Sequence, residues 1–141
     1  MLLEALVVCK RQGTDIEWAK WQNALTCFNQ ANTDSENIRH QVEWVLLCSA
    51  FEHILDAKSE AKDVASKFSE NMVPSEPLLV KNAIRKSDTW QANGQSLRYE
   101  WMREFYRIRG DFAHGKLKTQ QPAVWNHLEH LTLAAIAFPM V

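Results

Sequence analysis

The clearest helical pattern in the chain lies between Leu97 and Phe112. Apolar residues recur there at steps of four, four, three and four, which place side chains on one face of an α-helix. The sequence therefore predicts a helix over this segment, with Gly115 in the turn that follows. The apolar stripe consists of Leu97, Trp101, Phe105, Ile108 and Phe112.

Earlier in the chain the pattern predicts further helices. Gly13 interrupts a first apolar segment, and Thr14 or Asp15 is suited to cap the next helix. A long amphipathic helix, kinked or interrupted, is predicted from about Glu36 to Glu70. Its inner face is expected to carry Ile38, Val42, Val45, Ser49, Ala61, Val64 and Phe68.

The remaining segments complete the predicted bundle. Leu78 to Ile84 is typical of a short helix, Trp90 is expected to anchor a loop, and Pro122 suits a helix start. The sequence shows no alternating strand pattern and no internal repeat. We therefore predict an all-α protein, an up-and-down bundle of four to five main helices. The last apolar stripe is predicted to be Val124, Leu128, Leu131, Ala135 and Phe138.

Length and charge narrow the classes of function. A chain of 141 residues suits a single domain over positions 1–141, and its apolar start after Met1 is compatible with a domain taken from a larger protein. The formal net charge is −1, so there is no overall basic field to attract nucleic acid. Any RNA contact must come from a local patch.

Cysteine spacing and hydropathy indicate a cytoplasmic protein. Cys9, Cys27 and Cys48 are widely spaced and are expected to be buried reduced thiols rather than zinc ligands or disulfides. Lys10 and Arg11 follow the first apolar run, the reverse of a signal peptide. No apolar run reaches the length of about 20 residues that spans a membrane, so no membrane partner is expected.

The candidate chemistry lies at the end of the predicted helix over Leu97 to Phe112. Arg109 is followed by four residues and then by His114 and Gly115. Arginine binds phosphate with a fixed fork of donors, and histidine transfers protons near neutral pH. A neutral His114 can take the proton of an RNA 2′-hydroxyl while Arg109 stabilises charge on the scissile phosphate. The alternative is that both side chains simply interact with the free carbonyls of a helix end.

The string Tyr106, Arg109, Ala113, His114 and Gly115 resembles the motif of the HEPN superfamily, in particular its Apea-like branch. That resemblance implies a helical bundle and a metal-independent endoribonuclease without a cofactor, in which a homodimer brings two Arg–His pairs to one cleft. It also implies a toxin or phage-defence effector, with a regulatory protein partner or additional domains. The residues assigned on this basis are catalytic Arg109 and His114 and supporting Glu52, Tyr106 and Asp111.

A basic cluster flanks the motif and contains Arg98, Arg103, Arg107, Arg109, Lys116 and Lys118. Arg107, Lys116 and Lys118 are assigned to RNA binding from this cluster, and the alternative is a solvated face paired with Glu100, Glu104 and Asp111.

Two points in the motif stay open. Active HEPN members often carry a polar residue directly after the arginine, whereas this chain has Gly110 and then Asp111. Arg107 also satisfies the broader motif. On a continuous helix, a separation of seven residues returns to within about 20° of the same face, and a separation of five lies about 140° away. Arg109 is preferred because the flanking residues align with it, and a helix broken at Gly110 would relax the angular argument.

The other features have structural explanations. Glu52 is expected to orient Arg109, or else to form a salt bridge at the rim of the bundle. Tryptophans at helical spacing are expected to pack in the core, and His127 and His130 to lie at the surface or to cap a helix.

The second functional hypothesis is a non-catalytic helical module that binds RNA, nucleotide or protein, which Gly110 and the neutral overall charge favour.

Overall fold

A computed structural model describes residues 2–33, 39–72, 96–114 and 124–141. These residues form six α-helices and no strand, which confirms the predicted all-helical bundle. The helices are α1 (Leu2–Gln12), α2 (Asp15–Ala31), α3 (His40–Leu55), α4 (Ala61–Asn71), α5 (Leu97–Ala113) and α6 (His127–Ala137), followed by a 3₁₀ helix (Phe138–Met140).

Helix α3 lies at the centre of the described bundle. It packs against α2, α4, α5 and α6, while α5 also packs on α4 and α1 packs on α2. Aromatic rings fill the space between α3 and α5. The centroid of the Phe105 ring lies 4.9 Å from the ring centroid of Trp44 and 5.4 Å from that of Trp101. The Trp44 indole nitrogen donates to the Phe105 carbonyl at 2.8 Å. This bond satisfies a buried donor and fixes α3 against α5.

Thr14 caps the start of α2, and it is one of the two residues, Thr14 or Asp15, that the sequence predicted for this role. The Thr14 side chain accepts from the backbone of Glu17, and the Glu17 side chain accepts from the backbone of Thr14. The same reciprocal arrangement joins Asn126 and Glu129 at the start of α6. Both are capping boxes, which satisfy backbone donors that the first turn of a helix leaves free.

The predicted long helix is interrupted at Asp56. This residue ends α3 in the left-handed conformation, with φ of 50°, and α4 begins at Ala61. Aspartate tolerates this conformation better than bulky residues do. Lys20 forms an ion pair with the Asp56 carboxylate at 2.7 Å, and Lys67 donates to its carbonyl. Of the two predicted alternatives, a kinked helix and an interrupted one, the interrupted helix is therefore correct.

The predicted inner faces are correct for α5 and partly wrong elsewhere. Trp101, Phe105 and Ile108 are fully buried, as the α5 stripe predicted. Val42 is 48% exposed and Leu128 is 74% exposed, although both were predicted to face the core. Helix α3 instead buries Trp44, Leu47, Cys48, Ala50, Phe51 and Leu55, and α6 buries His130, Ala134 and Ala137.

Several predictions fall outside the described residues. They concern the short helix from Leu78 to Ile84, the anchoring role of Trp90, the helix start at Pro122 and the turn at Gly115, as well as Ile38.

The predicted burial of the cysteines and tryptophans holds for some of them and not for others. Cys48 is buried, Cys9 and Cys27 are half-buried, and all three are free thiols. Trp44, Trp101 and Trp125 are fully buried, whereas Trp18 and Trp21 are partly exposed.

Within the described ranges, no helix combines the length and apolar character needed to cross a bilayer.

His130 lies in the core, although the sequence predicted a surface position or a helix cap for it. Its side chain is fully buried, and its Nε2 lies 3.1 Å from Glu104 Oε1. The same oxygen accepts from the backbone nitrogens of Val124 and Trp125 at 3.2 Å. These bonds fix the two residues that precede Asn126, the cap of α6. Burial lowers the pKa of His130 and outweighs the opposing effect of Glu104. The imidazole is therefore neutral in the folded protein at neutral pH.

This burial makes the stability of the fold depend on pH. The unfolded imidazole has the ordinary pKa of 6.5, and the folded pKa is lower, so the unfolded state binds more protons as the pH falls. The stabilising contribution is thus present above the unfolded pKa and is lost below it. We expect the free energy of unfolding to fall by up to about 1.4 kcal/mol per pH unit from this group.

Urea unfolding between about pH 7.5 and about pH 5.5 measures this slope. We expect His130→Gln to reduce this slope, because the variant has no imidazole at this position that gains a proton on unfolding. Identical slopes for the wild type and His130→Gln would contradict the prediction.

Candidate functional site

Helix α5 carries the candidate chemistry and continues through Gly110 without a break. The helix extends to Ala113, and the backbone nitrogen of His114 donates to the Gly110 carbonyl at 3.1 Å. Successive side chains at this end of α5 are therefore rotated by about 100° around the axis, as in any intact α-helix. Arg109 projects about 140° from His114 around the helix axis, and Arg107 projects within about 20° of it.

Arg109 is held by two side chains that the sequence had assigned to support it. One terminal nitrogen of its guanidinium donates to the Tyr106 hydroxyl at 2.7 Å, and the other lies 3.3 Å from Glu52 Oε2. The Tyr106 hydroxyl donates to the second oxygen of the same carboxylate. We call these three residues, Glu52, Tyr106 and Arg109, the Arg109 network. It joins α5 to the last turn of α3.

Burial strengthens the Arg109 network. The Glu52 side chain is 12% exposed and that of Arg109 is 25% exposed, so water screens their attraction only in part. Burial raises the pKa of the Tyr106 hydroxyl, and the nearby Glu52 carboxylate raises it further. The phenol therefore stays protonated and acts as a hydrogen-bond donor. The arrangement orients the guanidinium and occupies both of its terminal nitrogens.

His114 lies at the exposed C-terminal end of α5. It occupies the capping position after Ala113, and its side chain is exposed. Arg107 is also exposed, and Asp111 is half-buried one turn before His114. The structure therefore brings Glu52, Tyr106 and Arg109 together but directs Arg109 and His114 to different faces of α5. Lys116 and Lys118 lie outside the described residues.

The outward face of α5 carries a row of four residues opposite the apolar stripe. Steps of four, three and four place them within about 60° of one another around the helix. We call this row, Arg103, Arg107, Gly110 and His114, the exposed stripe, although Gly110 itself is half-buried. The spacing of these four residues was visible in the sequence, but the HEPN motif assigns Gly110 no role as a surface feature.

Gly110 leaves bare backbone on the exposed stripe. Apart from its two chain neighbours and the backbone of its own helix, no described heavy atom lies within 4 Å of the position that a Cβ would take there. The internal packing of the described bundle therefore does not require a glycine at this point.

The site has no ligand cluster that would hold a metal in the described part of the chain. No group of three or more histidine, cysteine, aspartate or glutamate side chains comes together there. Comparison with known protein families, curated proteins and solved structures finds no match to this chain. The resemblance to HEPN domains thus depends on the residues at the end of α5.

The Arg109 network predicts energetic coupling between Tyr106 and Glu52. Tyr106→Phe removes the hydroxyl that donates to Glu52, and Glu52→Gln removes the charge that attracts it. We expect a coupling energy of about 1 kcal/mol in a double-mutant cycle followed by chemical unfolding.

Tyr99 provides the matched control because it is the other tyrosine of the chain and lies on the same helix. It is two turns, about 10.5 Å, from Tyr106 along the axis, so Tyr99→Phe and Glu52→Gln should be additive within about 0.5 kcal/mol. Equal coupling in both cycles would show that the hydroxyl of Tyr106 has no special link to Glu52.

Proposed function

We propose that this protein is a metal-independent endoribonuclease that acts at the end of α5. The observation that carries the proposal is an exposed imidazole, His114, at the end of a helix whose outward face presents arginine. The HEPN-like string from Tyr106 to Gly115 supports it. On the same basis we propose a cytoplasmic toxin or phage-defence effector, controlled by a protein partner or by further domains.

The proposed reaction uses the nucleophile that RNA already contains. His114 accepts the proton of a 2′-hydroxyl as general base, and the 2′-oxygen forms a bond to the adjacent phosphorus. The bond from phosphorus to the 5′-oxygen breaks, and that oxygen takes up a proton. The products are a 2′,3′-cyclic phosphate and a 5′-hydroxyl, with no net consumption of water. An arginine stabilises the charge that develops on the phosphate oxygens.

A second copy of the chain would complete the proton transfers. A single chain supplies one histidine at the end of α5, and the same imidazole cannot serve as base and acid in one step. In a two-fold homodimer, each His114 can be paired with an acid from the other subunit, and Arg109 of one subunit can approach His114 of the other. We therefore propose a homodimer as the active form.

A second candidate function follows from the Arg109 network. Both terminal nitrogens of the guanidinium are engaged within the chain, by Tyr106 and Glu52. This engagement favours a non-catalytic module that binds RNA, nucleotide or protein through the same end of α5. The module would bind without cutting.

Cleavage of labelled single-stranded RNA in EDTA tests the proposal. We expect the wild type to leave 2′,3′-cyclic phosphate ends and His114→Ala to reduce the rate by about 10²-fold or more. His53→Ala, which changes a partly exposed histidine on α3, should retain the wild-type rate. Equal cleavage by the wild type and His114→Ala would remove His114 from the mechanism, and binding without cleavage would support the second candidate.

A further inference from the structure

We propose that α1 is a self-association surface, on which the α1 helix of a second copy of this chain packs in antiparallel orientation. The contact is made by one stripe of four residues, which we call the α1 stripe. It consists of Glu4, Val7, Val8 and Arg11. Because none of these residues belongs to α5, this contact is distinct from the pairing of α5 ends in the proposed active homodimer and does not depend on the ribonuclease function.

The contacts of α1 with α2 fix which side of α1 faces outward. Leu6 and Cys9 are half-buried, and the Lys10 ammonium lies 5.4 Å from the centre of the Trp18 ring on α2. A Cβ on Gly13 would lie 2.5 Å from the Cys9 carbonyl oxygen, so this tight connection between the two helices requires glycine. The α1 stripe is offset by two residues, about 200°, from the side that meets α2, and it therefore points away from α2.

The α1 stripe is exposed and is apolar at its centre. Val7 is 48% exposed and Val8 is 53% exposed, and no side chain from Glu4 to Gln12 is buried within the chain. A helix of 11 residues has little stability of its own and relies on packing of its apolar residues. The adjacent valines are therefore an apolar surface that gains stability when a partner covers it.

The order of charges on the α1 stripe identifies the partner as a second copy. The stripe reads acid, valine, valine and base, and its spacing is symmetric about the midpoint between Val7 and Val8. When two such helices pack antiparallel about a two-fold axis through that point, Glu4 of each copy lies opposite Arg11 of the other. Valine then lies opposite valine, and the two ion pairs flank this apolar centre. The N-terminal end of each helix dipole also lies beside the C-terminal end of the other.

A groove beside the α1 stripe can receive side chains of the second helix. It runs between α1 and α2, has a volume of about 730 Å³, and includes Ala5, Val8 and Trp21 among its lining residues. Val8 belongs both to the α1 stripe and to the wall of this groove. Side chains of a helix that packs on the stripe can therefore interdigitate with those of α1, as in other helix pairs.

A membrane surface is the competing partner for an exposed apolar helix. Helices that lie on anionic membranes are rich in lysine and arginine on their polar face. The α1 stripe instead carries one carboxylate and one guanidinium, and the nearby Lys10 is directed toward Trp18 of α2. This balance of charge favours a second copy, whose charges are complementary, over a lipid surface.

Sedimentation equilibrium between about 1 and about 200 µM measures the association. Because an 11-residue helix is short, we expect a small interface and a dissociation constant on the order of 10 µM. Val7→Glu should weaken association at least about tenfold, since it places a carboxylate in the apolar centre. Val42→Glu on α3 is the matched control, because that valine is also 48% exposed, and it should have no effect. A monomeric wild type, or equal dissociation constants for the wild type and Val7→Glu, would overturn the proposal.

A charge swap tests the antiparallel pairing itself. Glu4→Arg and Arg11→Glu each place like charges opposite one another and should weaken association about tenfold. The double variant restores opposite charges and should return to within about threefold of the wild type. Because both changes oppose the dipole of α1, a merely structural effect would accumulate in the double variant, whereas pairing across the two-fold axis cancels it. Weaker association of the double variant than of either single variant would contradict the antiparallel pair.

Cosedimentation with vesicles of phosphatidylcholine and phosphatidylserine examines the competing partner. We expect no vesicle binding that depends on Val7. Binding that Val7→Glu abolishes, by a wild type that stays monomeric in solution, would assign the α1 stripe to a membrane and overturn the proposal. His114→Ala should associate as the wild type does, so a loss of cleavage and a loss of association can be told apart.

Discussion

The unbroken hydrogen bonding of α5 through Gly110 is the constraint on which the candidate site depends. It fixes the direction in which each side chain at the end of this helix leaves the backbone. Had the helix ended at Gly110, Arg109 and His114 would have been free to turn toward one another. Because it continues to Ala113, the two side chains are directed to different faces, and Arg107 shares the face of His114.

The inward side of α5 is fixed equally firmly by its contacts with α3. The indole of Trp44 donates to the Phe105 carbonyl, and about two turns further along α3 the Glu52 carboxylate holds Arg109 and Tyr106. One set of contacts is mainly apolar and the other is ionic, yet both join the same two helices. Together they prevent rotation of α5 about its own axis, so the exposed stripe keeps a fixed orientation toward solvent.

Some side chains were placed correctly by periodicity and others were not. The α5 stripe was predicted to face the core correctly because its apolar residues repeat at regular helical steps, although α5 also buries Glu100, Met102 and Tyr106. In α3 the apolar residues extend around much of the helix, so Val42 and Trp44 were equally good candidates for the core, and only packing against α5 selected Trp44. His130 was misplaced because its burial depends on Glu104, which lies on another helix.

The sequence by itself determined the helical class, a helix cap at Thr14 or Asp15, and the register of α5, because these depend on residues within a few positions of one another. It also indicated Glu52 as a partner of Arg109, although that indication came from a resemblance and left a rim salt bridge open. The tertiary structure alone decided that α3 ends at Asp56, that His130 is buried beside Glu104, and that the Arg109 guanidinium contacts Glu52 and Tyr106. The physical reason is that helical spacing fixes how side chains are arranged around their own axis. How one helix is rotated against its neighbours depends on contacts between residues far apart in the chain.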